Sequence, residues 1–140
     1  MTPLFAYGTF RHPAWRRAIL GADYPARPAR VHGWRRVALT SGYLSVVRDE
    51  TAQLEGALVA LDAIGWRIAD AWEEVPRYAR ADVVADSAQG SCAAQLYVHT
   101  HALGAGVAFE GDACAALDDR AVEDAIGRFA EQMRALRAGR

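Results

Sequence analysis

Lysine is missing from this sequence, and all 16 basic residues are arginine. That excludes a phosphate-binding P-loop, which needs several glycines followed by a lysine. It leaves arginine, whose planar fork pairs both oxygens of a carboxylate, as the cation on offer. Charge of either sign is not in excess: 17 acidic residues give a net charge of −1, so nothing calls for a polyanion such as nucleic acid as partner. Cysteine is scarce. Cys92 and Cys114 match no metal-binding or redox spacing, and sequence alone implies no disulfide between them. No apolar run approaches membrane-spanning length, and the N-terminus lacks the basic and apolar regions of a signal peptide, so a cytoplasmic protein with no membrane partner is expected. None of Ser41, Ser45, Ser87 and Ser91 lies in a Gly-x-Ser-x-Gly elbow, which removes the usual serine nucleophile.

What is present fits an ordinary globular domain. The 140 residues are 52% apolar and 24% charged, enough for one domain over 1–140 with its own core. The pattern predicts a strand at Pro3–Tyr7, a loop through Tyr7-Gly8-Thr9-Phe10-Arg11, and a helix opened by His12-Pro13 and stopped at Gly21. The proline-bearing stretch Tyr24–Arg30 reads as a connector. Strands are expected at Val31–Leu39, Tyr43–Val47 and Leu54–Leu61, with turns at Thr40-Ser41-Gly42 and Asp49-Glu50-Thr51. A second helix is expected from Ala63 to about Glu74, N-capped by Asp62. Strands Tyr78–Ala85 and Ala93–His99 flank the polar turn Asp86–Gly90, and the glycine-rich His101–Gly111 reads as a loop or irregular edge. Val122, Ile126, Phe129, Met133 and Leu136 recur at helical spacing and predict an apolar stripe on a last helix ended by Gly139. Strands broken irregularly by helices favour an α+β fold, a mixed sheet or small β-barrel with flanking helices, over a doubly wound one.

Two features carry candidate chemistry. On the second helix, Ile64, Ile68, Ala71, Trp72 and Val75 form the expected apolar face, and Arg67, Asp70 and Glu74 a solvated stripe. Glu73 belongs to neither; it shares a row with Trp66 and Ala69 on the flank. A carboxylate beside an indole is partly desolvated, and that tunes a glutamate for acid/base work near neutral pH. The bland alternative is one more solvated helix charge. The second feature is the Tyr7-Gly8-Thr9-Phe10 loop. Its successive backbone N–H groups can cradle a carboxylate or phosphate, with Gly8 permitting close approach; a plain tight turn fits the same residues. His99 and His101 have the spacing of a strand metal pair, but no third ligand lies nearby and no metal is expected. The remaining histidines, His12 and His32, lie on other elements.

Taken together, these stretches resemble the gamma-glutamylcyclotransferase-like family. Phe5-Ala6-Tyr7-Gly8-Thr9-Phe10 resembles that family's opening Tyr-Gly-[Ser/Thr]-Leu motif. Asp70-Ala71-Trp72-Glu73, followed by Tyr78-Ala79-Arg80, resembles its Asp-x-aromatic-Glu run with a trailing Tyr-x-Arg. Gly42-Tyr43 and Leu54-Glu55-Gly56-Ala57-Leu58 resemble intervening segments. Phe10, Leu44 and Ala57 depart from the family's common Leu, Pro and acidic residues, and they bear on substrate choice.

The resemblance implies a small mixed barrel with flanking helices, and a cavity faced by the first loop and by Glu73. Glu73 would be the catalytic acid/base and its neighbour Glu74 would not. Tyr7, Gly8, Thr9 and Phe10 would bind substrate, with Tyr78 and Arg80 shaping or anchoring the site. The implied reaction cyclises a γ-glutamyl amide to 5-oxoproline and frees an amine or amino acid, without a cofactor, in a monomer or homodimer. The alternatives are a non-catalytic small-ligand binder on the same scaffold, an enzyme stripping a γ-glutamyl protecting group from a larger metabolite, and an interaction domain using the C-terminal helix.

Overall fold

The computed structural model describes residues 2–38, 44–73, 77–99 and 107–108. The expected C-terminal helix, Glu74, His101, Cys114 and the Thr40–Tyr43 segment lie outside these residues. Along the chain run β1 (Leu4–Ala6), a 3-10 turn (Thr9–Arg11), α1 (Pro13–Leu20), β2 (Ala26–Ala38), β3 (Leu44–Val59), α2 (Ala63–Trp72), β4 (Tyr78–Ser87), β5 (Gly90–His99) and β6 (Val107–Ala108). The strand order is β3-β1-β5-β4-β2-β6, and an additional β2–β3 pairing joins the two sides. Five strands thereby close into a barrel, with β6 appended to β2. Closure leaves those five without an open edge, the main aggregation hazard of a sheet. The sheet is mixed because β1 runs parallel to β5 while its other neighbour, β3, is antiparallel.

Period-2 alternation on β1 explains the layering. Phe5 and Tyr7 point into the barrel, where they pack with Val31, Trp34, Val46, Leu58 and Leu96. Leu4 and Ala6 point outward to Trp15, Ile19, Leu20, Trp66 and Ile68 of the helices. Both helices start where expected. Pro13 occupies the first turn of α1, with Gly21 at its end. The Asp62 carboxylate accepts from the Gly65 amide at 2.7 Å to cap α2, and Tyr24 donates to the same oxygen at 2.8 Å.

The expected turn Asp86–Gly90 is shorter, because β4 runs to Ser87 and β5 starts at Gly90, and three further expectations change. The Tyr24–Arg30 connector is shorter, because β2 already begins at Ala26. Pro28 lies beyond the last β2–β4 pair, Ala29↔Ser87, so its missing N–H removes no bond to β4. The predicted turn Asp49-Glu50-Thr51 does not reverse the chain; β3 runs unbroken from Leu44 to Val59. Register instead jumps from His32↔Gln53 to Trp34↔Arg48. Gly33, at φ 87°, alone faces the extra β3 residues, and the turn-forming side chains serve a bulge. Asp49 accepts from the Thr51 amide at 3.0 Å and from its hydroxyl at 2.7 Å, which holds that bulge locally. Finally, α2 stops at Trp72, with Glu73 as its C-cap.

Gly56 owes its identity to close approach. A Cβ there would lie 2.7 Å from Phe5 Cζ and would also meet the Ala6 carbonyl oxygen. Any side chain would therefore push β3 off β1.

Candidate functional site

The strand directions gather the sequence-predicted residues at one end of the barrel. β1 leads there into Tyr7, β5 ends there in Tyr97-Val98-His99, β4 starts there with Tyr78, and Ser45 lies there one residue into β3. Tyr7 is buried and donates to the Tyr97 carbonyl. The Ser45 hydroxyl, also buried, accepts from the His99 amide at 3.0 Å and hydrogen-bonds to Tyr7. A short circuit thus ties β1, β3 and β5 together below the mouth. Tyr78 packs edge-on against His99, with centroids 5.1 Å apart.

Glu73 sits at the C-terminal end of α2, where its amide donates to the Ala69 carbonyl at 2.9 Å. Its half-buried carboxylate is close enough to act electrostatically on two tyrosines. Burial first, then the Glu73 charge and Tyr78, hold the Tyr7 hydroxyl well above its ordinary range, against a weaker downward pull from Ser45 and Arg36. Tyr97 is also held well above its ordinary range, by burial first, then by Asp70, with Glu73 adding to it and Arg80 opposing. Both side chains therefore stay neutral hydroxyls at any physiological pH.

The loop after β1 is folded so that its carbonyls are used. The Gly8 carbonyl accepts from the Arg11 amide at 3.0 Å, and the Thr9 carbonyl accepts from the His12 amide at 3.3 Å. Among the described residues, no hydrogen bond uses the amides of Gly8, Thr9 or Phe10. Phe10 itself is buried with the helix-facing core, and it anchors the loop.

Arg80 is engaged on the flank. Its guanidinium forms a two-pronged pair with Asp70, the Nε–Oδ1 distance being 2.9 Å, and lies 4.2 Å from the Trp66 ring centroid. The Tyr97 hydroxyl donates to the same Asp70 at 2.6 Å. Asp70 is thus more than the solvated charge of the sequence reading: partly exposed, it is also the junction of a Tyr97–Asp70–Arg80–Trp66 group. The expected faces of α2 shift accordingly. Trp66 and Ala69 are buried, while Ile64, Ala71 and Trp72 are only partly covered.

Sequence reasoning quoted Asp70 in a motif without giving it a role, and passed over Tyr97 and Ser45 as site residues. The first two had a signal: Asp70 precedes Glu73 by one helical turn, and Tyr97 alternates with the inward Leu96 on β5, so it must face the helices. Ser45 had none, because its role depends on strands distant in sequence. Among the described residues no group of three or more His, Cys, Asp or Glu side chains can hold a metal ion, and no described helix is long and apolar enough to cross a membrane.

Comparison with known proteins bears on this arrangement. Residues 4–113 match the family described as gamma-glutamyl cyclotransferase, AIG2-like. The comparison with curated proteins found no match. Several solved structures share the fold. One, titled gamma-glutamyl cyclotransferase, is 11% identical with a TM-score of 0.63, over 98% of this chain and 86% of its own. A solution structure from Arabidopsis thaliana is 21% identical with a TM-score of 0.64, over 96% and 81%. A Homo sapiens protein is 13% identical with a TM-score of 0.65, over 98% and 86%. At these identities the structural likeness speaks for the fold, a five-stranded mixed barrel with two helices, while the family match covers most of the chain. This chain belongs to the gamma-glutamyl cyclotransferase, AIG2-like family.

Proposed function

We propose that this protein cyclises a γ-glutamyl amide, releasing 5-oxoproline and the amine. The observation that carries the reading is the placement of the half-buried Glu73 within electrostatic reach of Tyr7 and Tyr97, at the barrel end where the Gly8–Phe10 loop opens. Membership of a family that includes gamma-glutamyl cyclotransferases supports it further.

In such a substrate the α-nitrogen lies within reach of its own γ-carbonyl. Attack forms the lactam C–N bond and closes a five-membered ring, and the bond from the γ-carbon to the departing nitrogen breaks. The α-nitrogen begins as an ammonium and ends as a lactam N–H, so it gives up two protons. The departing nitrogen takes up two and leaves as an ammonium. Glu73 acts as the carrier, accepting from the first nitrogen and donating to the second, a shuttle of the kind worth ~10²–10⁴ in rate.

The amides of Gly8, Thr9 and Phe10 hold the substrate α-carboxylate or the oxyanion that develops on the γ-carbonyl. Folding the substrate into attack geometry supplies much of the remainder. Tyr7 and Tyr78 line the mouth. Arg80, committed to Asp70, serves as a positioning residue behind Tyr97.

The test is a panel of γ-glutamyl amides with amino-acid, dipeptide, polyamine and lysine ε-amine leaving groups, read by 5-oxoproline release. Turnover of at least one member is expected from the wild type and loss of it from Glu73→Gln. Full activity in purified, folded Glu73→Gln overturns the assignment.

A further inference from the structure

Arg16, on the first turns of α1, is absorbed neither by the core nor by the reaction described above. Its guanidinium reaches back over the 3-10 turn, donating from Nη1 to the Phe10 carbonyl at 3.0 Å and approaching the Arg11 carbonyl at 3.4 Å. The helix beneath it is fixed. Trp15, Ile19 and Leu20 are buried, and Trp15 meets Trp72 of α2 edge-on at 6.2 Å. Arg16 therefore acts from a rigid support onto a turn that is otherwise held by the buried Phe10 side chain and two backbone hydrogen bonds.

Peptide geometry gives this contact a consequence. In a trans peptide the C=O and the following N–H point to opposite sides, so whatever holds a carbonyl also aims the next amide. The Gly8 carbonyl is held by the Arg11 amide, and this aims the Thr9 N–H. The Thr9 carbonyl is held by the His12 amide, and this aims the Phe10 N–H. Both holding bonds depend on the placement of Arg11 and His12. The peptide joining Phe10 to Arg11 is fixed at one side by the Arg11-to-Gly8 bond and at the other by Arg16. Without Arg16 the carbonyls of Phe10 and Arg11 lose a charged donor, and the Phe10–Arg11 peptide is held from its N–H side alone.

We propose that Arg16 is a positioning residue that keeps the backbone amides of Thr9 and Phe10 aimed into the site. This rests on the reading of that loop as the substrate cradle. One guanidinium nitrogen, Nη1, serves both carbonyls through its two N–H donors, and a guanidinium keeps its charge at any physiological pH. Partial burial pulls its pKa below the usual value yet leaves it charged at neutral pH.

Two readouts separate this proposal from the reading beneath it. Amide hydrogen exchange, followed by NMR on the substrate-free protein, needs no activity. In Arg16→Met the Arg11 and His12 amides are expected to exchange at least about tenfold faster, while amides of β4 and β5 are unchanged; Arg16→Lys falls between. Steady-state kinetics on the best panel substrate are expected to show a KM rise of about tenfold with kcat within about threefold, partly restored by Lys. Unaltered exchange at Arg11 and His12 overturns the proposal whether or not the enzyme turns over, and so does loosened exchange with unchanged kcat/KM. If Arg16→Met fails to fold, Arg16→Lys alone carries both measurements, and wild-type exchange together with wild-type KM in that variant rejects the role. A wild type inactive on every substrate tests the cyclisation reading, and the exchange result still decides whether Arg16 holds the turn.

Discussion

The two apolar layers of this molecule differ in what their large side chains carry. The barrel interior is filled mainly by Phe5, Val31, Trp34, Val46, Leu54, Leu58, Val83 and Leu96, and Tyr7, at the mouth, brings it a hydroxyl. The layer between barrel and helices holds Trp15, Trp66, Tyr78 and Tyr97 beside Leu4, Ile19, Leu20 and Ile68. Those aromatics have polar ends, and buried polar ends need partners. Tyr97 finds Asp70, and Asp70 finds Arg80 over the Trp66 face. Glu73 emerges from the same layer. The interior holds the barrel closed; the helix layer packs on the barrel and also carries polar groups toward its mouth.

If that division is right, substitutions in the two layers should separate stability from activity. The largest effect is expected from Glu73→Gln: turnover falls by ~10²–10⁴, the range for a lost acid/base, while thermal unfolding shifts little. Glu74→Gln is the internal control and should keep wild-type kcat. Next in size is Leu58→Ala. Leu58 is 1% exposed within the barrel, so its truncation should cost about 2–5 kcal/mol by denaturant unfolding. Below the shifted unfolding temperature, kcat should stay near wild type. A Leu58→Ala protein that is stable but inactive would break the division.

Asp70→Asn should behave in the opposite way. The pair with Arg80 is about one-third exposed, and pairs in that setting contribute about 0–1 kcal/mol. Unfolding should therefore move only slightly. Losing the charge that holds Tyr97 and Arg80 should lower kcat/KM about tenfold, a difference of roughly 1.4 kcal/mol. Wild-type kinetics in Asp70→Asn would reduce the Tyr97–Asp70–Arg80 group to a structural contact.

The smallest effect is spectroscopic. Tyr7 and Tyr97 are both raised above the ordinary tyrosine value, so in the folded state they keep protons that the unfolded chain releases near pH 10. Their contribution to stability is complete below about pH 10 and is lost as pH climbs beyond it, because the unfolded state then binds fewer protons. Absorbance near 295 nm should show these two tyrosines ionising later than the exposed ones, together with unfolding. Tyr97→Phe should remove one such late step.

Much of this was legible in the chain. Pro13 with Gly21, and Asp62 ahead of an apolar helix, marked α1 and α2 because capping is local chemistry. Runs of apolar residues between turn residues marked most of the strands, and the order and spacing of short motifs marked the family. The failures share one cause. Asp49-Glu50-Thr51 has turn chemistry, but the partner strand decides whether a turn reverses the chain or bulges it, and β2 is there to receive a bulge at Gly33. Asp70 reads as a solvated helix charge until β4 brings Arg80 and β5 brings Tyr97 beside it.

The sequence by itself determined the helix ends, the inward and outward alternation of β1, and the residues that resemble the family's motifs, since each depends on neighbours a few positions away. Tertiary structure alone decided that Tyr7, Ser45, Glu73, Tyr78 and Tyr97 share one end of a barrel. It also decided that Arg16 reaches back over the loop and that Asp70, partly exposed, is a junction between Tyr97 and Arg80. Those facts depend on strand order and closure, which bring together residues from β1, β3, α2, β4 and β5, and no local pattern of side chains encodes that meeting.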